Sequence, residues 1–172
     1  VRGCVKTHLV TGYVHKPYPR IYALLARHAG FDSALIVRGV EGGVIPSLSQ
    51  TGKVFRYRDR GEEWSEEFMP ADLGIDQRVR APRISGGAAD EASEAAHAGA
   101  APDSETVAKA AAEAGMAAVG GEPGPTRDAL VYGTAPCLWH LGRSDSLKQA
   151  ADAARSALDR GEALARLRAG NV

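Results

Sequence analysis

The sequence predicts an α/β fold: a partial, mixed and mainly parallel sheet flanked by helices, with a β-hairpin and a helical carboxyl-terminal tail. Three observations carry this expectation. Ala34-Leu35-Ile36-Val37 is a short, uninterrupted apolar run of the kind that forms a strand buried on both faces, and it breaks at Arg38 into a loop holding Gly39, Gly42 and Gly43. Ahead of it, Pro17 and Pro19 open a helical pattern that Gly30 closes, so a strand, a helix and a strand follow in succession. Behind it, two alternating segments flank Asp59-Arg60-Gly61-Glu62, which has turn chemistry. A length of 172 residues suits about one domain, and the low aromatic share with abundant alanine and glycine suits helices packed closely on a sheet.

Taken in order, His8 to Val14 forms the first strand, ending at His15-Lys16-Pro17. The first helix carries Ile21, Leu24, Leu25 and His28 at helical spacing. Lys53 to Arg58 and Glu63 to Phe68 form the hairpin, one face wet, its basic first strand offset by an acidic second. Pro70 to Ile75 makes a turn or a single helical turn. From 81 to 103 the composition shifts to Ala, Gly, Ser, Asp and Glu, with no large apolar residue after Ile84; such a segment is expected to be a mobile linker between the first part, 1–80, and a helical part, 104–172, of the same domain. Ser104 caps a helix to about Val119 with Val107, Ala111, Ala114 and Ala118 on one face. Thr126 caps the next, which Pro136 should kink or delay, and Ser144 or Ser146 opens a helix through Leu158. A short last turn covers Glu162 to Leu167.

Lys and Arg number 21 and Asp and Glu 21, so no whole-chain electrostatic footprint for nucleic acid or acidic membrane exists. Cys4 and Cys137 have no paired spacing and read as structural thiols rather than a disulfide framework or zinc site, and no metal site is expected from the histidines. No membrane span or signal peptide is visible, which predicts a cytoplasmic protein.

Ligands of open α/β sheets bind outside the carboxyl ends of the strands, which puts the candidate site at the end of the Ala34 to Val37 strand. Arg38 would supply a forked donor to a phosphorylated ligand, with backbone N–H groups of Gly39, Gly42 and Gly43 beside it; the alternative is that Arg38 and Glu41 pair with each other. Ser47 could add a hydroxyl. His15 and Lys16 sit at the neighbouring strand end and would line the same crevice, or simply serve the turn. No catalytic residue can be named.

The strings Tyr13-Val14-His15-Lys16-Pro17-Tyr18 and Ala34 to Gly42, with Gly120-Gly121-Glu122-Pro123-Gly124-Pro125-Thr126-Arg127-Asp128-Ala129-Leu130 downstream, resemble the later part of the anthranilate phosphoribosyltransferase family, in the broad class of the pyrimidine nucleoside phosphorylases. The Arg38 to Gln50 string is more similar to a divergent branch. The resemblance implies the carboxyl-terminal part of that α/β domain, transfer of a phosphoribosyl group to a nitrogen acceptor, a phosphoribosyl pyrophosphate-like or other phosphorylated ligand, and a homodimer for a full-length protein. Family members hold magnesium with an Asp-Glu pair; the matching positions here are Val44 and Ile45, so no metal or other cofactor is expected on this chain, magnesium belonging to complete members. The family's usual Asn a few residues after Arg127-Asp128 is Gly133. The chain starts at Val1, partway through the family's fold, and is expected to be a catalytically silent fragment. The alternative is a non-catalytic relative that binds nucleic acid or a nucleotide, through Lys53, Arg56, Arg58 and Arg60 or through the crevice.

Overall fold

The computed structural model describes residues 5–58, 63–83 and 104–170. Among them, four strands form one mixed sheet in the order β1-β2-β3-β4: β1 His8–Gly12, β2 Ser33–Val37, β3 Gly52–Arg58 and β4 Glu63–Phe68. β1 and β2 run parallel, joined by α1 (Tyr18–His28), while β2–β3 and β3–β4 are antiparallel. The parallel share is therefore one pairing in three rather than the majority expected, because the hairpin adds directly to β2. Its turn, like most of the 81–103 segment and Cys4, lies outside the described residues.

β2 is buried at every position, as its apolar run requires. Alternation sends Ala34 and Ile36 to one face, where they meet Tyr13, Ala23, Ala26 and Tyr57. Leu35 and Val37 go to the other, joining Val54, Phe68, Val131, Tyr132 and Ala135. α1 begins at the prolines as expected, but its buried face is Pro19, Ala23 and Ala26, whereas Ile21, Leu24 and Leu25 are 45%, 57% and 57% exposed. The small side chains let the helix lie close on Ala34 and Ile36, which turns the bulky stripe outward.

The second face is covered by α3 (Pro125–His140), against which α4 (Leu147–Asp159) packs through Ala150, Ala151 and Ala154. Gly124, not Thr126, occupies the cap position of α3, with Pro125 in its first turn. The helix runs on through buried Pro136 as one element. Tyr132 anchors it: the ring meets Phe68 edge-on at 5.3 Å and the hydroxyl donates to the Phe68 carbonyl at 3.3 Å. At its carboxyl end, Arg56 and Arg58 of β3 donate to the Trp139 and His140 carbonyls at 3.4 and 2.6 Å, the first of which also accepts from the Gly142 N–H, and place cations at the negative end of the helix.

α2 (Ser104–Val119) buries only Ala118 of its expected face, and α5 (Glu162–Ala169) buries none of its residues. Ser146 caps α4, accepting from the Gln149 N–H at 3.2 Å. Ser146→Ala is expected to lower stability by about 1 kcal/mol, read from the urea midpoint, without altering the sheet end opposite. No helix among the described residues is long and apolar enough to cross a membrane.

Candidate functional site

At the carboxyl ends of β1 and β2 the chain turns back on itself so tightly that no side chain fits between strand and loop. A Cβ built on Gly39 would fall far inside contact with the Gly43 carbonyl, and one on Gly12 would meet both the Gly42 and Gly43 carbonyls. The turn Val40–Gly42 closes through Gly43 N–H to Val40 O at 2.9 Å, and Val40 N–H to Ile45 O at 2.9 Å pins the return limb. Glu41 adopts the left-handed region at φ 53°, uncommon for a residue with a Cβ. The Gly39 and Gly42 N–H groups also donate within this segment, to Val37 O and Gly39 O. The glycines thus shape the turn, and in this conformation their N–H groups, offered by the sequence as anion donors, bond within it.

Beyond the turn lies a cleft of about 450 Å³ whose lining includes Arg38, Gly39, Ser47, Ser49, Gln50 and Arg80. Its described lining includes two arginines and neither Asp nor Glu. Arg38 makes no ion pair with Glu41 or any other described residue, and Glu41 stands outside the cleft. Ser47 is 9% exposed, and its Oγ is buried with no hydrogen-bond partner. A buried hydroxyl left unsatisfied costs about 1–3 kcal/mol unless something meets it.

Arg80 was not visible as a site residue from sequence. It reaches the cleft because the 76–83 segment folds back along the loop, its carbonyl accepting from the Leu48 N–H at 2.9 Å. The local signal is a cluster of three arginines, Arg78, Arg80 and Arg83, within six residues. His15 and Lys16, by contrast, are exposed and do not line the cleft; the His15 ring meets Tyr18 edge-on at 5.4 Å.

A second, apolar pocket of about 280 Å³ adjoins the cleft, sharing Val40 and Arg80 with it and bounded by Gly43, Val44, Ile45, Pro46 and Pro82. Val44 is half-exposed here. Ile45 rests on Gly133 of α3, where a Cβ would come within 3.1 Å of its Cγ1. Ile45 and Gly133 are therefore in contact. Neither Val44 nor Ile45 carries a side-chain oxygen, and the Ile45 carbonyl is taken up by the Val40 N–H, so these residues do not fit the carboxylate-held magnesium of the resemblance. Among the described residues no cluster of three or more His, Cys, Asp or Glu side chains is placed to hold a metal.

Three of the four hairpin cations have partners within the chain. Lys53 pairs with Glu67 at 2.7 Å, Arg58 holds the His140 carbonyl, and Arg56 stacks on the Trp139 ring, 3.4 Å from its centroid. Arg60 lies outside the described residues. Arg127 pairs with Asp159 and so ties α3 to α4, while Asp128 accepts from Gln77 at 2.7 Å and holds the 74–83 loop to α3.

At the opposite end of β2, the buried His140 Nε2 lies 2.8 Å from Ser33 Oγ, which lies 2.7 Å from His8 Nδ1. His140 Nδ1 has no partner. A lone pair there is less costly than an unmet N–H, so Nε2 carries the proton and donates to Ser33, whose hydroxyl donates to His8. Burial, then the nearby Arg56 and Arg58, push the His140 pKa down to about 4. Burial raises that of the free Cys137 thiol, whose Sγ donates to the Gly133 carbonyl at 3.4 Å.

No family model matches the chain. In sequence it is 28% identical over 145 residues to an anthranilate phosphoribosyltransferase of Petrotoga mobilis, a match covering 84% of this chain and 36% of that protein. In structure it superposes on the crystal structure of anthranilate phosphoribosyltransferase from Thermus thermophilus with a TM-score of 0.54 and 20% identity, covering 90% of this chain and 39% of that one. The chain thus spans less than two fifths of the length of either. Over that span it is anthranilate phosphoribosyltransferase-like, in sequence and in fold.

Proposed function

We propose that this chain forms one wall of a phosphoribosyltransferase-like cleft, holds a phosphorylated small molecule there, and carries out no transfer by itself. The observation that carries the reading is the cleft at the carboxyl end of β2, whose described lining includes Arg38 and Arg80 and no carboxylate. A guanidinium fork matches the geometry of phosphate oxygens. Phosphoribosyl transfer asks the protein chiefly for charge neutralisation and positioning, so a cationic cleft suits that reaction class. Transfer by this chain alone is not expected, because Val44 and Ile45 stand where the resemblance places the magnesium carboxylates. The coverage of 36% and 39% of the two relatives supports reading the chain as part of a longer protein.

Calorimetric titration of the purified chain with phosphoribosyl pyrophosphate is expected to show saturable binding that Arg80→Gln weakens by about tenfold, the loss of one charge-assisted contact. With anthranilate added, pyrophosphate release is expected to match protein-free buffer. Measurable turnover would overturn the silent reading, and a titration without saturation would overturn the cleft.

A further inference from the structure

From the pairing of the two pockets we infer that the ligand of this cleft is a phosphate monoester of an apolar, preferably aromatic, alcohol, bound without a divalent cation. The inference rests on the phosphate-cleft reading and narrows it. The polar cleft and the apolar pocket are two halves of one surface, since Val40 and Arg80 line both. A phosphate between Arg38 and Arg80 therefore directs whatever it is esterified to along Arg80 and over Val44, Ile45, Pro46 and Pro82. The pocket holds about 280 Å³, against the roughly 150 Å³ that accommodates a benzene ring. Proline and β-branched side chains line it, which favours a flat, rigid group over a flexible polar one.

The same residues explain why a metal is unnecessary. A phosphate dianion needs two positive charges, and the two guanidinium groups supply them. The contact of Ile45 with Gly133 continues the apolar floor as far as α3. A carboxylate pair at 44 and 45 would have replaced this floor with charge; the apolar pair instead leaves a surface that gains by covering.

Phenyl phosphate and inorganic phosphate, titrated separately into the purified chain in EDTA, test the inference. Phenyl phosphate is expected to bind about tenfold more tightly, from the apolar area the ring covers. Added magnesium should change neither affinity. Val44→Ser, at a half-exposed position where folding is little affected, should reduce the phenyl advantage while leaving inorganic phosphate unchanged; Arg80→Gln should weaken both ligands. Equal binding of the two ligands overturns the apolar half and leaves the phosphate cleft standing. A requirement for magnesium overturns the metal-free half. Failure of both ligands to bind removes the cleft itself, and the inference with it.

Discussion

Gly39→Ala is expected to lower stability by about 3 kcal/mol, the upper end of what overpacking costs, and to abolish phosphate binding in whatever folded protein remains. The added Cβ collides with the Gly43 carbonyl, and a carbonyl fixed in a closed turn cannot rotate aside as a side chain would. Relief requires moving the Val40–Gly43 turn as a body, which drags Val40 and the return limb held by the Val40 N–H to Ile45 O bond. Both pockets have Val40 in their walls, so the cleft is deformed along with the turn. Gly12→Ala should act in the same way from β1, since its Cβ meets the carbonyls of Gly42 and Gly43. Gly30→Ala is the control. Gly30 has φ 85° with no atom within 4 Å of a built Cβ, so alanine there brings only backbone strain of about 1 kcal/mol and leaves binding intact. Urea midpoints and phosphate titrations on the three variants check this. If Gly39→Ala is no less stable than Gly30→Ala, the close approach of turn to strand is not as described.

What was legible in the sequence were features written locally. The apolar run of β2, the hairpin alternation, the prolines ahead of α1 and the serine ahead of α4 each carry their structural reason within a few residues. What was not legible depends on partners distant in the chain. The stripe Ile21, Leu24 and Leu25 has the spacing of a buried face, yet α1 buries alanines, because the closeness of Ala34 and Ile36 selects small residues and periodicity does not encode distance. Alternation in β3 marks Arg56 and Arg58 as a basic patch; only the position of the α3 carboxyl end shows them to be its carbonyl donors. At the site, Arg38, Gly39 and Ser47 converge on the cleft because they share a loop. Arg80 joins from a segment more than 30 residues on, by a single backbone bond to Leu48. The glycine N–H groups illustrate the limit from the other side: glycine at a strand end permits an anion nest or a tight return, and here the return takes up the donors.

His140 should make the fold sensitive to mild acid. The ring is 2% exposed and its Nε2 is engaged by Ser33, while Arg56 and Arg58 stand close by, so a proton on Nδ1 would meet neither water nor an acceptor. Its pKa in the fold is about 4, against about 6.5 for histidine in an unfolded chain. Between those values the unfolded chain holds a proton that the fold rejects, so stability rises with pH across the window and falls as acid is added from about pH 6.5 toward 4. The full difference amounts to about 3 kcal/mol, a large part of the 5–15 kcal/mol typical of a domain. The carboxyls of Glu67 and Glu162 are lowered from their usual range, chiefly by hydrogen bonds from Lys53 and Arg160, so their contributions fade at more acid pH and leave the upper part of the window to His140. His140→Gln keeps a side-chain amide near Ser33 but cannot titrate. It is expected to be less stable than wild type at pH 7.5 and nearly flat between pH 6.5 and 5, where wild type declines. Urea unfolding at pH 7.5, 6.5 and 5 separates the outcomes: parallel decline in both proteins would mean that another group drives the acid response and that His140 already binds a proton within the fold.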